Sequence, residues 1–250
     1  MDLIPINGAI LAAILIAISL GSLLKGMTGL GLPIFAVPAI ATITSVEEAV
    51  VLMIIPGIAA NLWLVISHRK YHALLKEHLP FLTMGFVGGI LGTTLLLVID
   101  DRWLKLLLAI WLGIYLVQYI RRSGSLDIFR GRGRLAYLIG LLAGTMQGAN
   151  GISAQLVAPY YHGRSLQPAA YAFLVTSTFL LFSSAQMTAV LGTGLLTVAR
   201  LKLSLAALVP TLIFTRVGIG LAGKLSQTAF NRILLLTLFL MEIKLIVDVM

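Results

Sequence analysis

Two stretches of this 250-residue chain combine residues that could hold an anion. GMTGLGLPIFAVP, from Gly26 to Pro38, and GANGISAQLVAP, from Gly148 to Pro159, both set glycines ahead of prolines within an apolar run. Glycine frees the backbone and proline removes a donor, so a helix is expected to break in each. Inside a membrane such a break is tolerated only where protein or a water-filled cavity satisfies the freed N–H and C=O groups. The half-helix that restarts after a break presents open N–H groups, which favour negative charge. The amides around Gly29, Gly31, Gly148 and Gly151 are therefore candidate anion donors. Asn150, Ser153 and Gln155 add uncharged groups that could replace hydration around a bound molecule.

Arg216 is the candidate counter-charge. It lies in LVPTLIFTRVGIGLAGK between Lys202 and Lys224, which helical rise puts a little beyond the middle of its span. A charge at that depth costs on the order of 3 kcal/mol and demands a partner. An anionic substrate could be that partner, the guanidinium fork matching two oxygens of a sulfonate or carboxylate. Snorkelling, or pairing with a helix C-terminus, stays open as the alternative. Lys25 fits either the same cavity or a membrane interface, and its place at the end of a span favours the interface. Thr176, Ser177, Thr178 and Gln186 could also line a site, although each alone is equally an interhelical hydrogen bond. Glu242, Lys244 and Asp248 read as a salt pair or as snorkelling groups in the last span, with proton coupling at Glu242 the lesser reading.

Other chemistry finds little support. Three of the four histidines, His68, His72 and His78, share the basic loop HRKYHALLKEH, and neither a metal nor a cofactor is expected. No nucleophile elbow, P-loop, HExxH or dinucleotide fingerprint occurs, which argues against an enzyme and against an ATP-driven pump. Without cysteines, disulfides and thiolate ligands are excluded.

The elements that must position these residues follow from composition. With 59% hydrophobic and 11% charged residues and a mean hydropathy of +1.03, the chain lies far outside soluble globular domains. The net charge of +9 would suggest nucleic acid on a soluble face, but the basic residues cluster where apolar segments end, so they report membrane topology. At about 20 apolar residues per crossing, the fold class is an all-α polytopic membrane protein of about eight transmembrane helices. Apolar segments run over 7–24, 46–67, 79–99 and 103–120, then over 135–148, 168–191, 203–223 and 233–249. The short stretches 26–43 and 151–161 are broken or re-entrant, and ten crossings result if both span. The first segment lacks a basic leader and a cleavage site, so it reads as a retained span.

An internal repeat is visible. Gly21 to Gly29 and Gly140 to Gly148 share one spacing, each followed by a proline, Pro38 and Pro159. Pro80 precedes Val87-Gly88 as Pro210 precedes Val217-Gly218. The chain thus divides into a first transmembrane repeat at 1–120, a linker at 121–134 and a second repeat at 135–250. Gly140, Gly144 and Gly148 line one helix face, where small residues let helix backbones approach closely. The linker RRSGSLDIFRGRGR holds five arginines in fourteen residues and is expected on the cytoplasmic side. Counting spans from it puts the histidine-bearing loop inside. If the short stretches do not cross, the repeats are parallel, four plus four, with the loop of Arg200 and Lys202 and the C-terminus also cytoplasmic. If they cross, the repeats are inverted, five plus five, and that loop lies outside. The four-plus-four arrangement is favoured by charge.

GSLLKGMTGLGLPIFAVPAI and GLLAGTMQGANGISAQLVAPYY resemble the paired glycine-rich motifs of the sulfite exporter TauE/SafE family, also grouped with toluene sulfonate uptake permeases. The likeness extends over nearly the whole chain, including the basic loop, FVGGILGTTLL and the arginine-rich linker. The chain departs from the family's glycine runs at Leu32, Pro33, Asn150 and Ile152. The resemblance implies a multi-pass inner-membrane protein of about eight helices from an ancient duplication, carrying sulfite, a sulfonate or another small anion. Its partners would be that anion and the lipid bilayer, without nucleic acid, and a homodimer stays open. A secondary exporter is the reading favoured, because a cytoplasm-negative potential drives an anion outward. A proton-coupled uptake permease for an organosulfonate or carboxylate is the alternative within the class, and a membrane scaffold or enzyme subunit the alternative outside it.

Overall fold

The computed structural model describes residues 8–28, 31–120, 134–162, 166–221 and 227–249, which are helical almost throughout and contain no strand. In chain order the helices are α1 (Gly8–Thr28), α2 (Leu32–Ala41), α3 (Val46–Ser67), a 3-10 segment (Arg69–His78), α4 (Leu79–Val98), α5 (Asp101–Ile120), α6 (Arg134–Asn150), α7 (Ala154–His162), α8 (Pro168–Thr193), α9 (Val198–Ala206), α10 (Leu208–Leu221) and α11 (Gln227–Val247). Local chemistry sets several boundaries. Ser45 caps α3 by accepting from the Glu48 N–H, and Glu47 and Glu48 favour that helix start electrostatically. Thr197 caps α9 in the same way. At the other end of a helix, Gly194 stops α8 in the left-handed conformation, φ 74°.

Five described stretches are long and apolar enough to cross a membrane: Gly8–Thr28, Val46–Ser67, Arg69–Val98, Pro168–Thr193 and Val198–Leu221. Large apolar side chains such as Leu91, Val98, Leu191 and Val209 stand exposed on the outer surface, as a lipid-facing surface requires.

The chain breaks at both glycine-proline stretches. Gly31 precedes α2 with φ 126° and Gly151 follows α6 with φ 73°, conformations that a side chain rarely adopts. After the first break α2 folds back along α1, where Gly21 abuts Leu32 and Ala36.

Glycine-faced seams join the early and late parts of the chain. Gly140, Gly144 and Gly148 of α6 abut the carbonyls of Phe81, Gly85 and Gly89 of α4, so a Cβ at any of them would collide with backbone. Steps of four on both helices mean that α4 and α6 run parallel in register. Gly26 of α1 meets the Thr215 carbonyl of α10, and Gly218 of α10 meets the Leu23 carbonyl. The pairing is reciprocal: α4 docks on α6, α10 on α1, α3 on α8 and α5 on α11.

One expectation is corrected here. Arg200 of α9 bonds Glu47 and Glu48 in the first turn of α3, whereas the basic segment Arg69–His78 follows the last. The 22 residues of α3 measure about 33 Å at the usual rise. Arg200 and the histidine-bearing segment therefore stand at opposite ends of α3, not at one end as the four-plus-four count expects. The reason is that α2 and α7 each return the chain, a reversal that span counting by length omits.

Candidate functional site

The two breaks meet at one small cavity that is partly open to the outside. Gly31, Leu32 and Ile34 enter it from the start of α2, and Gly151, Ser153 and Ala154 from the start of α7. Two half-helix N-termini thus reach the same space, bringing partial positive charge and uncommitted N–H groups. Val50 and Met53 of α3 and Phe179 of α8 supply apolar wall.

Lys25 is the charged group of this cavity. It stands in the last turn of α1 and is only 2% exposed. Its Nζ donates to Asn61 Oδ1 of α3 at 2.6 Å and lies 5.8 Å from the centre of the Phe179 ring. Among the described residues no carboxylate forms an ion pair with it. A buried ammonium whose bonded partner is a neutral amide oxygen is electrostatically unfinished, and a negative guest would complete it.

The second half builds a neutral counterpart. Gln147 stands three residues before the end of α6, as Lys25 does before the end of α1. Its Nε2 donates to Gln186 Oε1 at 3.1 Å, while Gln186 Nε2 donates to the Gln147 carbonyl at 2.7 Å and Ser153 Oγ to Gln147 Oε1 at 2.8 Å. Asn150 Oδ1 accepts from the Ile152 N–H across the Gly151 turn at 2.9 Å, and Trp111 of α5 donates to the Ile152 carbonyl at 2.8 Å. These bonds satisfy part of the backbone that the break releases.

The sequence candidates divide accordingly. Gly31, Gly151 and Ser153 line the cavity, with Gln186 beside them. Gly148 packs instead against α4. Asn150 is fully buried and braces the turn with its Oδ1, leaving its Nδ2 without a partner. Gln155 turns to the Trp111 carbonyl, and Thr176 and Thr178 bond carbonyls of their own helix. Gly29 lies outside the described residues. Arg216 is exposed on α10, whose buried face is Thr211, Thr215 and Gly218, and it does not line the cavity. Of the two candidate cations, the structure thus places Lys25 and not Arg216 in the cavity lining. Asn61, Gln147 and Phe179 were also missed. Shared placement in the turn before each break is the signal that could have found Lys25 and Gln147.

Polar and aromatic clusters lie beyond the cavity. Arg200 donates to Glu48 at 2.7 Å, to Glu47 at 2.6 Å and to the Leu195 carbonyl at 2.9 Å, joining α9 to α3. Near the end of α7, Phe81 stacks on Tyr160 with centroids 4.0 Å apart, and His78 meets Tyr161 edge-on at 5.0 Å.

A cavity that pairs two helix N-termini with a buried, carboxylate-free ammonium can hold a small anion within a membrane-spanning bundle. Residues 13–245 match the family model described as Sulfite exporter TauE/SafE. No curated protein and no solved structure matches the chain.

Proposed function

Because the chain belongs to the sulfite exporter TauE/SafE family and is thus a transmembrane transporter, we propose that it exports sulfite, a sulfonate or a related small anion across the inner membrane, binding it at Lys25. The observation that carries this reading is the Lys25 ammonium, buried in the cavity with Asn61 Oδ1 as its bonded partner. The guest would take the open side of the ammonium and the N–H groups at the starts of α2 and α7. Gly31, Gly151 and Ser153 belong to this site. Asn150 and Gln155 would shape it through the turn and Trp111, while Gly148 would set the seam to α4.

The same reading includes two inverted repeats, each with a short return helix, α2 or α7, with the arginine-rich linker cytoplasmic and the C-terminus outside. Its supports are the reciprocal docking of α4 on α6 and of α10 on α1, and the position of Arg200 at the start of α3. Movement of one half against the other would expose the cavity alternately. A cytoplasm-negative potential is worth about 2.3 kcal/mol per charge per 100 mV, so outward transport of an anion needs no coupled ion.

Purified protein in liposomes tests the proposal. Labelled sulfite or methanesulfonate should move under an imposed potential, and Lys25→Gln should abolish the flux. Absence of flux from correctly folded wild-type protein with every small anion offered would leave a scaffold role instead.

A further inference from the structure

Taking the Lys25 cavity as the anion site proposed above, we infer that it selects by charge number, accepting a singly charged anion with an apolar body and rejecting a doubly charged one of similar size. Among the described residues that line it, Lys25 is the one charged side chain. Where the other half would supply a second cation, Gln147 stands at the matching place before the break. Its amide is committed to Gln186, whose own Nε2 returns to the Gln147 carbonyl.

Neither nearby arginine can compensate. The Arg200 guanidinium is taken by Glu47, Glu48 and the Leu195 carbonyl, and Arg216 is exposed and does not line the cavity. A first negative charge would meet a full positive charge at Lys25. A second would meet only partial charges at helix ends, which are much weaker than an ion pair, in a site where an uncompensated charge is expensive. The side chains of Leu32, Val50, Met53, Ile152 and Phe179 offer such a group no hydrogen bond, but they can pack an alkyl or aryl tail. The class of guest is therefore a monovalent sulfonate or carboxylate, and for sulfite the hydrogensulfite form.

Ethanesulfonate and ethane-1,2-disulfonate test the inference, because they share a carbon skeleton and keep their charges around neutral pH. Titration calorimetry on the full chain in nanodiscs should give wild-type binding of the monosulfonate at least about tenfold tighter than the disulfonate, a gap of 1.4 kcal/mol or more. Gln147→Lys, which adds the missing second ammonium, should close or reverse that gap. Equal or tighter disulfonate binding by the wild type, lost in Lys25→Gln, would overturn charge selection while leaving the anion site standing. Binding of both compounds unchanged in Lys25→Gln would overturn the site itself. Should Gln147→Lys not fold, the wild-type comparison still decides.

Discussion

Neutralising Lys25 should move stability and anion affinity in opposite directions. In the empty cavity its ammonium is 2% exposed and bonds a neutral carbonyl at 2.6 Å. Desolvating such an ion costs several kcal/mol, and a hydrogen bond involving a charged group returns about 1.5–3 kcal/mol. Lys25→Gln keeps a donor for Asn61 and removes the charge, so the empty protein should gain about 1–2 kcal/mol. For a chain of this size that raises Tm by roughly 2–8 °C. An anion held about 4 Å from the ammonium gains about 4 kcal/mol at an effective dielectric of 20. Its loss should weaken binding by roughly three decades. Thermal melts with and without saturating methanesulfonate read both effects, since a ligand that binds only the folded state raises Tm. A variant that melts below the wild type and keeps the full ligand-induced shift would refute the reasoning.

Gly144→Ala puts a methyl group against the Gly85 carbonyl, so it should cost about 1–3 kcal/mol by overpacking, measured as a lower melting temperature. Arg200→Gln leaves Glu47 and Glu48 buried without their guanidinium and should cost about 3–5 kcal/mol; adding Glu47→Gln and Glu48→Gln should restore most of the loss, and failure to do so would assign the effect to packing. Arg216→Ala should leave methanesulfonate affinity within about twofold, as expected for a surface side chain away from the site; a large loss in calorimetry would return that residue to the binding machinery. A protease-sensitive tag after Met250 should be cut in intact spheroplasts, and protection would refute the inverted arrangement.

Several features were legible in the residues alone. Hydropathy required a polytopic helical protein, and the glycine-proline stretches pointed to broken helices; the breaks fall at the left-handed glycines Gly31 and Gly151, while Pro38 and Pro159 are carried inside α2 and α7. The four-residue spacing of Gly140, Gly144 and Gly148 announced a close helix seam, and the seam with α4 follows those positions. The number of reversals was harder to read, since α2 has 10 residues and α7 has 9, both too short to register as spans.

Side-chain direction was decided only by the packed structure. Hydropathy reports how deep a residue lies along a helix but not the way it turns, and neighbouring residues differ by about 100° around the axis. Arg216 therefore faces outward although Thr215 beside it is buried, and Lys25 faces the cavity although Gly26 beside it packs on α10. The Lys25–Asn61 bond joins residues 36 apart, and Arg200 finds Glu47 across 153 residues. Contacts over such distances arise from how the helices dock on one another, which no local pattern of residues encodes.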